Sequence, residues 1–190
     1  MFRTLKVLAL IATFTFGMQQ ASALDLGVQV GARMNQSKVD NTTSKDRLGF
    51  QGGLLAVVPI VPLIGFRTGA LLVQRDAEVE GEALGEAFQV KADRLFADIP
   101  LTLQVNAGIA KLYGGANAAI KLASSCKMST AGMSEDCTLN DEKSVVFQPV
   151  VGLDLSILPF ISIGAFYEFE TEYSKDYKQS AFGVTGSFMF

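Results

Sequence analysis

Few residues of this chain could take part in catalysis, because its 190 amino acids include no histidine. Without an imidazole, serine and cysteine nucleophiles lack their usual base, and histidine metal centres and proton switches are excluded. The remaining possibility is a serine hydroxyl activated by a neighbouring carboxylate. Ser162 and Glu168 share one face of a predicted strand. They are six residues apart, too far for a hydrogen bond along an extended chain. We therefore predict that the protein is not an enzyme and uses no cofactor.

The two cysteines, Cys126 and Cys137, lie in a segment rich in Ser, Thr, Asn, Asp and Gly, which predicts a loop. Two thiolates without histidine cannot complete a zinc site, so we expect no metal here. In an exported protein the oxidising environment favours a Cys126–Cys137 disulfide. Closing this short loop would stabilise the fold by about 3 kcal/mol in the chain-entropy description.

Residues 1–23 have the pattern of a secretory signal peptide, with Arg3 and Lys6 before a short apolar stretch and small residues up to Ala23. Two glutamines interrupt the apolar stretch before it is long enough to span a membrane as a helix. We expect cleavage after Ala23, which leaves residues 24–190 as one domain. The net charge is −3 and no dense basic cluster occurs, so the chain is not predicted to bind nucleic acid.

Apolar residues of the mature part recur with a period of two, which predicts β-strands with one apolar face. Leu26, Val28 and Val30, for example, alternate with Gly27, Gln29 and Gly31. Eight segments follow this pattern, at about residues 25–36, 47–58, 63–75, 92–106, 112–123, 144–156, 160–173 and 179–190.

The connections between these segments alternate between long polar stretches and short turns. An even number of strands with long loops at one end and tight turns at the other is typical of outer-membrane barrels. Segments of this length suit a tilted strand that crosses a bilayer. We predict an all-β fold, an eight-stranded antiparallel up-and-down transmembrane β-barrel in the outer membrane of a two-membrane bacterium, with lipid as its main partner and a monomeric state.

The charged residues of the strands fall on the face opposite to the apolar one. Because an eight-stranded barrel has room inside only for side chains, these charges should pair, fill the lumen and leave no pore. The predicted interior charge network comprises Arg33, Arg67, Arg75, Arg94, Asp98, Lys121, Asp154, Glu168 and Glu170.

Aromatic residues on the apolar face should form two belts at the membrane interfaces. The belt near the long loops comprises Phe50, Phe147, Phe169, Tyr173 and Phe182, and the belt near the short turns comprises Phe66, Phe188 and Phe190. Pro149 also falls on the apolar face, and because proline cannot donate to a strand ladder we expect a bulge or register shift there.

Two of the long loops are acidic. One carries Asp76, Glu78, Glu80, Glu82 and Glu86, and the other Glu135, Asp136, Asp141 and Glu142. Solvated loop faces are the favoured interpretation, and the alternative is binding of divalent cations, for which a dedicated ligand spacing is lacking.

The C-terminal run from Phe182 to Phe190 resembles the signal that barrel-assembly machinery reads in outer-membrane proteins, with Phe182, Val184, Phe188 and Phe190 on one face. Residues 96–101, Phe-Ala-Asp-Ile-Pro-Leu, resemble a stretch in the fourth strand of the PorT-like outer membrane protein beta-barrel family. Residues 151–154 and 161–167 resemble its sixth and seventh strands. The resemblance implies an outer-membrane barrel and no shared catalytic residue.

The sequence is consistent with three functions. The first is a non-catalytic outer-membrane barrel with a structural, adhesion or interaction role in the cell envelope. The second is a secreted soluble barrel of the lipocalin type, which would have the reverse polarity, apolar inside and charged outside. The third is a lipid-modifying outer-membrane enzyme, which would need a base in place of histidine.

Overall fold

The computed structural model describes residues 24–39, 43–83, 86–130, 133–137, 143–174 and 177–190. The predicted signal peptide lies outside these ranges. In the described residues, no helix is long and apolar enough to cross a membrane. The strands there are β1 Asp25–Val39, β2 Thr43–Lys45, β3 Arg47–Val61, β4 Ile64–Gln74, β5 Ala77–Ala83, β6 Glu86–Ala107, β7 Ala110–Thr130, β8 Met133–Asp136, β9 Val145–Leu158, β10 Ile161–Ser174 and β11 Tyr177–Met189.

Eight of these strands form a closed antiparallel barrel. Its walls run in the order β1, β3, β4, β6, β7, β9, β10 and β11, so each strand pairs with its neighbour along the chain. The barrel closes between β1 and β11, whose register runs from Gly27–Met189 to Val39–Tyr177. Closure pairs the backbone of the edge strands and leaves no open sheet edge in the wall. The predicted eight-stranded up-and-down β-barrel is confirmed.

The two rims of the barrel differ as the connection lengths predicted. At one rim, which we call the short-turn rim, residues 62–63, 108–109 and 159–160 form two-residue turns. Gly108 has a φ of 68°, a left-handed conformation that glycine adopts without steric cost. We call the opposite end the long-loop rim.

Paired strands extend above the long-loop rim, where the sequence predicted loops. Strand β5 continues from β4 after Arg75 and Asp76 and pairs with β6, while β2 pairs with β5 and β8 pairs with β7. In β5, Glu78 and Glu80 alternate with Ala77 and Val79, which pair with Ala92 and Val90 of β6, but the segment is short and rich in glutamate, and the sequence therefore predicted a loop. The predicted disulfide joins Cys126 of β7 to Cys137 just after β8, and the Cys137 amide donates to the Cys126 carbonyl at 3.1 Å.

A β-bulge in β10 changes which residues face inward near the long-loop rim. The register of β10 with β11 shifts between Glu168 and Thr171. Because an extra residue reverses the alternation, Tyr173 is only 2% exposed and lies in the interior against Phe96. The prediction that Tyr173 belongs to an outer aromatic belt is therefore wrong.

Pro149 lies on the outer face of β9, as predicted, but the register shift is not in its own ladder with β7. That ladder runs without interruption through Ala116–Pro149 and Asn117–Gln148. On the other side of β9, the last residue paired with β10 is Val150, opposite Glu168, so Pro149 itself has no partner in that ladder. The strand therefore tolerates the missing N–H because its pairing stops there, beside the bulge of β10.

Candidate functional site

The barrel has an apolar outside and a polar inside. Leu26, Val28, Val30, Leu101 and Leu103 are among the exposed apolar side chains of its wall. The alternate positions point inward, where buried polar and charged side chains outnumber buried apolar ones. The polarity is the reverse of that of a soluble ligand-binding barrel.

Aromatic side chains mark both ends of the apolar outer surface. Phe50, Phe147, Phe169 and Phe182 are exposed towards the long-loop rim, and Phe160, Phe188 and Phe190 are exposed towards the short-turn rim. Phe66 is half-buried. Two aromatic belts around an apolar band are typical of barrels that span a membrane.

The centre of the lumen is occupied by two arginines and two carboxylates. Glu168 of β10 accepts from Arg33 of β1 at 2.5 Å and from Arg75 at 2.6 Å, and Arg75 also pairs with Asp98 of β6. All four side chains are buried. Their formal charges cancel, which is the condition under which charges can be removed from water without a large penalty.

Three neutral side chains complete this central cluster. Asn117 donates to the second oxygen of Glu168 at 3.0 Å. Gln148 accepts through one oxygen from Arg75 at 2.6 Å and from the Tyr173 hydroxyl at 2.5 Å. Sequence reasoning missed all three. The inward parity of β7 and β9 could have indicated Asn117 and Gln148, whereas the bulge concealed Tyr173.

A second ion pair lies towards the short-turn rim. Arg67 of β4 donates to Asp154 of β9 at 2.5 Å, and its guanidinium lies 4.0 Å from the ring centre of Tyr113. Two inward-facing glycines make room for this group: a Cβ on Gly152 would meet the Tyr113 ring at 2.2 Å, and one on Gly164 would meet Asp154 Oδ1 at 1.9 Å. The glycines are therefore part of the packing of the lumen.

The other predicted interior charges have different surroundings. Arg94 is buried, and its guanidinium donates to the Tyr177 hydroxyl at 2.5 Å and stacks on that ring. Lys121 is half-buried beside the register shift between β6 and β7. Glu170 is a correction: it is exposed and pairs with Lys38 at 2.6 Å, because it lies at the bulge of β10, where the inward alternation of that strand is lost.

Ion pairs also hold the acidic hairpin above the long-loop rim. Lys45 of β2 donates to Glu80 of β5 at 2.6 Å, and Arg47 donates to Glu78 at 2.8 Å. The hydrogen bond from Lys45 lowers the pKa of Glu80, and the same bond raises the pKa of Lys45. Asp141 and Glu142 of the other acidic loop lie outside the described residues. Among the residues that are described, no group of three or more potential ligands is placed to hold a metal ion.

The space left beside these side chains is small where the structure describes the lumen. Below the central cluster the interior holds a cavity of about 30 Å³, lined by Arg67, Asp98, Tyr113 and Glu168 among others. A volume of this size holds one or two water molecules. A wider pocket of about 200 Å³ opens at the short-turn rim beside Asp25, Lys111 and Asp154. The geometry can therefore brace the wall.

Comparison with solved structures identifies the same class of fold. The structure of Ail, the attachment invasion locus protein of Yersinia pestis, in complex with the heparin analogue sucrose octasulfate matches with a TM-score of 0.55 and 18% identity, covering 88% of this chain and 99% of that one. Ail without that ligand matches with a TM-score of 0.51 and 18% identity, over 87% of this chain and 98% of that one. Neisserial surface protein A matches with a TM-score of 0.44 and 13% identity, over 87% and 97% of the two chains.

No protein-family model and no curated protein matches the chain. The resemblance to the PorT-like family is therefore not confirmed. At 18% identity the likeness to Ail establishes an outer-membrane-type barrel fold and does not by itself assign a function.

Replacing Glu168 with glutamine should destabilise the barrel by about 3–5 kcal/mol, because Arg33 and Arg75 would lose a shared buried counter-charge. Urea unfolding of the protein folded into lipid vesicles measures the change. Glu170→Gln, two residues along the same strand but exposed, is the matched control and should leave the unfolding midpoint unchanged. Equal midpoints for the two variants would contradict a role of Glu168 in holding the lumen.

Gly164→Ala should destabilise the barrel by about 1–3 kcal/mol, because the new methyl group must displace Asp154 or the strand. Gly186→Ala is the control, since a Cβ there meets nothing within 4 Å. Thermal unfolding followed by heat-modifiable gel mobility compares the two. If Gly164→Ala unfolds at the wild-type temperature, Asp154 is not packed against the backbone of β10 as described.

Proposed function

We propose that this protein is a non-catalytic, integral outer-membrane β-barrel with a closed lumen, which displays its long-loop rim for adhesion or for another surface interaction in the cell envelope. The observation that carries the proposal is the polarity of the wall. An apolar band between two aromatic belts would be unfavourable in water and favourable in hydrocarbon. Every backbone polar group of a closed barrel can be paired within the lipid.

The closed lumen supports a display role over transport. Arg33, Arg75 and Glu168 cross the centre of the barrel and are tied to one another. Opening a path would require these charges to separate in a region with little water, which is costly. The extensions above the long-loop rim are held by ion pairs and by the disulfide, and thus offer an ordered platform for a partner.

The likeness to Ail supports attachment as the form of this interaction, since Ail is an attachment invasion locus protein. The sulfated sugar found with Ail is not carried over to this chain. Two lysines at the rim, Lys38 and Lys45, are paired with Glu170 and Glu80, so these two residues do not favour a polyanion.

Export and assembly follow from the same proposal. Residues 1–23 act as a signal peptide that is cleaved after Ala23. Phe182, Val184 and Phe188 are exposed on β11, and Phe190 follows at the chain end, where the barrel-assembly machinery would read them. The folded protein is a monomer in the membrane.

The two alternatives lack comparable support. A lipocalin-type carrier needs an apolar interior, whereas the lumen here is charged. A lipid-modifying enzyme needs a free base, but the oxygens of Glu168 accept from Arg33, Arg75 and Asn117, and Ser162 lies in the pocket at the short-turn rim instead.

Expression of the full chain in a two-membrane bacterium tests the proposal. The mature protein should begin at Leu24 by mass spectrometry, fractionate with the outer membrane, require detergent for extraction, and migrate differently in gels before and after boiling. In planar bilayers it should show no stable open channel. Recovery from the soluble periplasm, or stable conductance by the wild-type protein, would contradict the proposal.

A further inference from the structure

The wall of the barrel has a gap in its ladder near the long-loop rim. The register of β3 with β4 starts at Gln51–Val73. The next pairing above it in this part of the wall is Lys45–Glu78, between β2 and β5. Beside this gap, the buried Asn35 of β1 donates to the carbonyl of Gln74 in β4 at 3.2 Å.

A groove of about 550 Å³ lies on the outer surface at this gap. Its volume is within the range of sites that hold small molecules. Phe50, Leu72 and Leu95 line its lower part, and each of them is exposed on the apolar outer surface. We call it the rim groove.

The upper part of the rim groove is polar and rich in hydrogen-bond acceptors. Asp76 and Asp93 line it, together with Ser125, which pairs with Asp93 across the β6–β7 ladder. Leu72 and Asp76 are separated by four residues, or roughly 14 Å along an extended strand. The groove therefore passes from the apolar band to the polar rim over the length of a medium alkyl chain.

The cations near these two carboxylates make their shortest side-chain contacts with other groups. Arg94 donates its backbone amide to Asp76 at 3.4 Å, but its guanidinium is directed to Tyr177 on the lumen side. Arg47 is hydrogen-bonded to Glu78 at 2.8 Å and also forms a longer ion pair with Asp93 at 3.8 Å. The Asp93 side chain is 61% exposed. Asp93 therefore keeps acceptor capacity for a ligand at the polar end of the groove, where Asp76 itself is largely buried.

We propose that the rim groove binds a long-chain primary amine from the surrounding lipid, with its alkyl chain against Phe50, Leu72 and Leu95 and its ammonium group between Asp76 and Asp93. The apolar part of the groove leads directly to the two carboxylates, and this order selects a ligand whose alkyl chain carries the ammonium group at its end. In a phospholipid the phosphate is the first charged group after the acyl chains, and it would meet the two carboxylates and be repelled. An ammonium attached directly to the chain meets them favourably.

This inference rests on the proposed outer-membrane placement for the source of the ligand, but the groove itself can be tested in detergent. The folded, disulfide-bonded protein in dodecyl maltoside micelles is titrated with dodecylamine, and backbone amide resonances are followed by NMR. We expect saturable shifts confined to residues around Leu72, Leu95 and Asp93. Dodecanol and lysophosphatidylethanolamine, used as chain-matched and headgroup controls, should cause only small, unsaturated shifts.

The variant Asp76→Asn/Asp93→Asn should weaken dodecylamine binding by at least about tenfold, because two charge-assisted contacts are lost. Asp25→Asn, a carboxylate at the other rim, is the matched control and should bind as the wild type does. Ser125→Lys leaves both aspartates in place and should also reduce binding, through repulsion of the ammonium.

Heat-modifiable mobility of each variant checks that the barrel is folded, so failure of the ligand site is distinguished from failure of the membrane proposal. Equal binding of dodecanol and dodecylamine, saturable binding of lysophosphatidylethanolamine, or shifts spread evenly around the barrel would each overturn the inference.

Discussion

The structure depends on the neutralisation of charge inside a narrow barrel. Glu168 on β10 receives hydrogen bonds from Arg33 on β1 and from Asn117 on β7, and Arg75 carries the network on to Asp98 on β6. Because a buried charge without a partner costs several kcal/mol, a strand that slipped by one residue would leave one of these groups uncompensated. The cluster thereby ties opposite walls together and favours one register.

The same alternation that brings these charges together produces the outer surface. When a strand places Arg33 or Glu168 inside, the adjacent positions along that strand must face outward. The outward side chains of the wall are mostly Leu, Val, Ile and Phe. Hydrophobic burial is therefore not available within the protein for most of its apolar residues. It becomes available when lipid surrounds the wall.

Much of this arrangement follows from periodicity in the sequence. Arg33, Arg67 and Asp154 are buried at positions that a period of two assigns to the inward face without knowledge of contacts. Glu170 and Tyr173 were assigned wrongly because a single bulge reverses the faces beyond Glu168, and no residue pattern in that segment marks it. The strand extensions at the long-loop rim were also missed, since β5 is a short, glutamate-rich segment whose pairing is supported by ion pairs such as Lys45–Glu80. The rim groove depends on a gap between β3 and β4 and on residues of β6 and β7 beside it, an arrangement that no local pattern reveals.

The polarity of the wall is tested most directly by spin labels at neighbouring positions of the folded protein in lipid vesicles. Labels at Val30 and Leu103 should be accessible to oxygen, which partitions into hydrocarbon, and protected from a water-soluble nickel complex. Labels at Gln29 and Gln104 should show low accessibility to oxygen. If instead Gln29 and Gln104 faced the acyl chains while Val30 and Leu103 contacted water, the account of an apolar exterior around a charged interior would be contradicted.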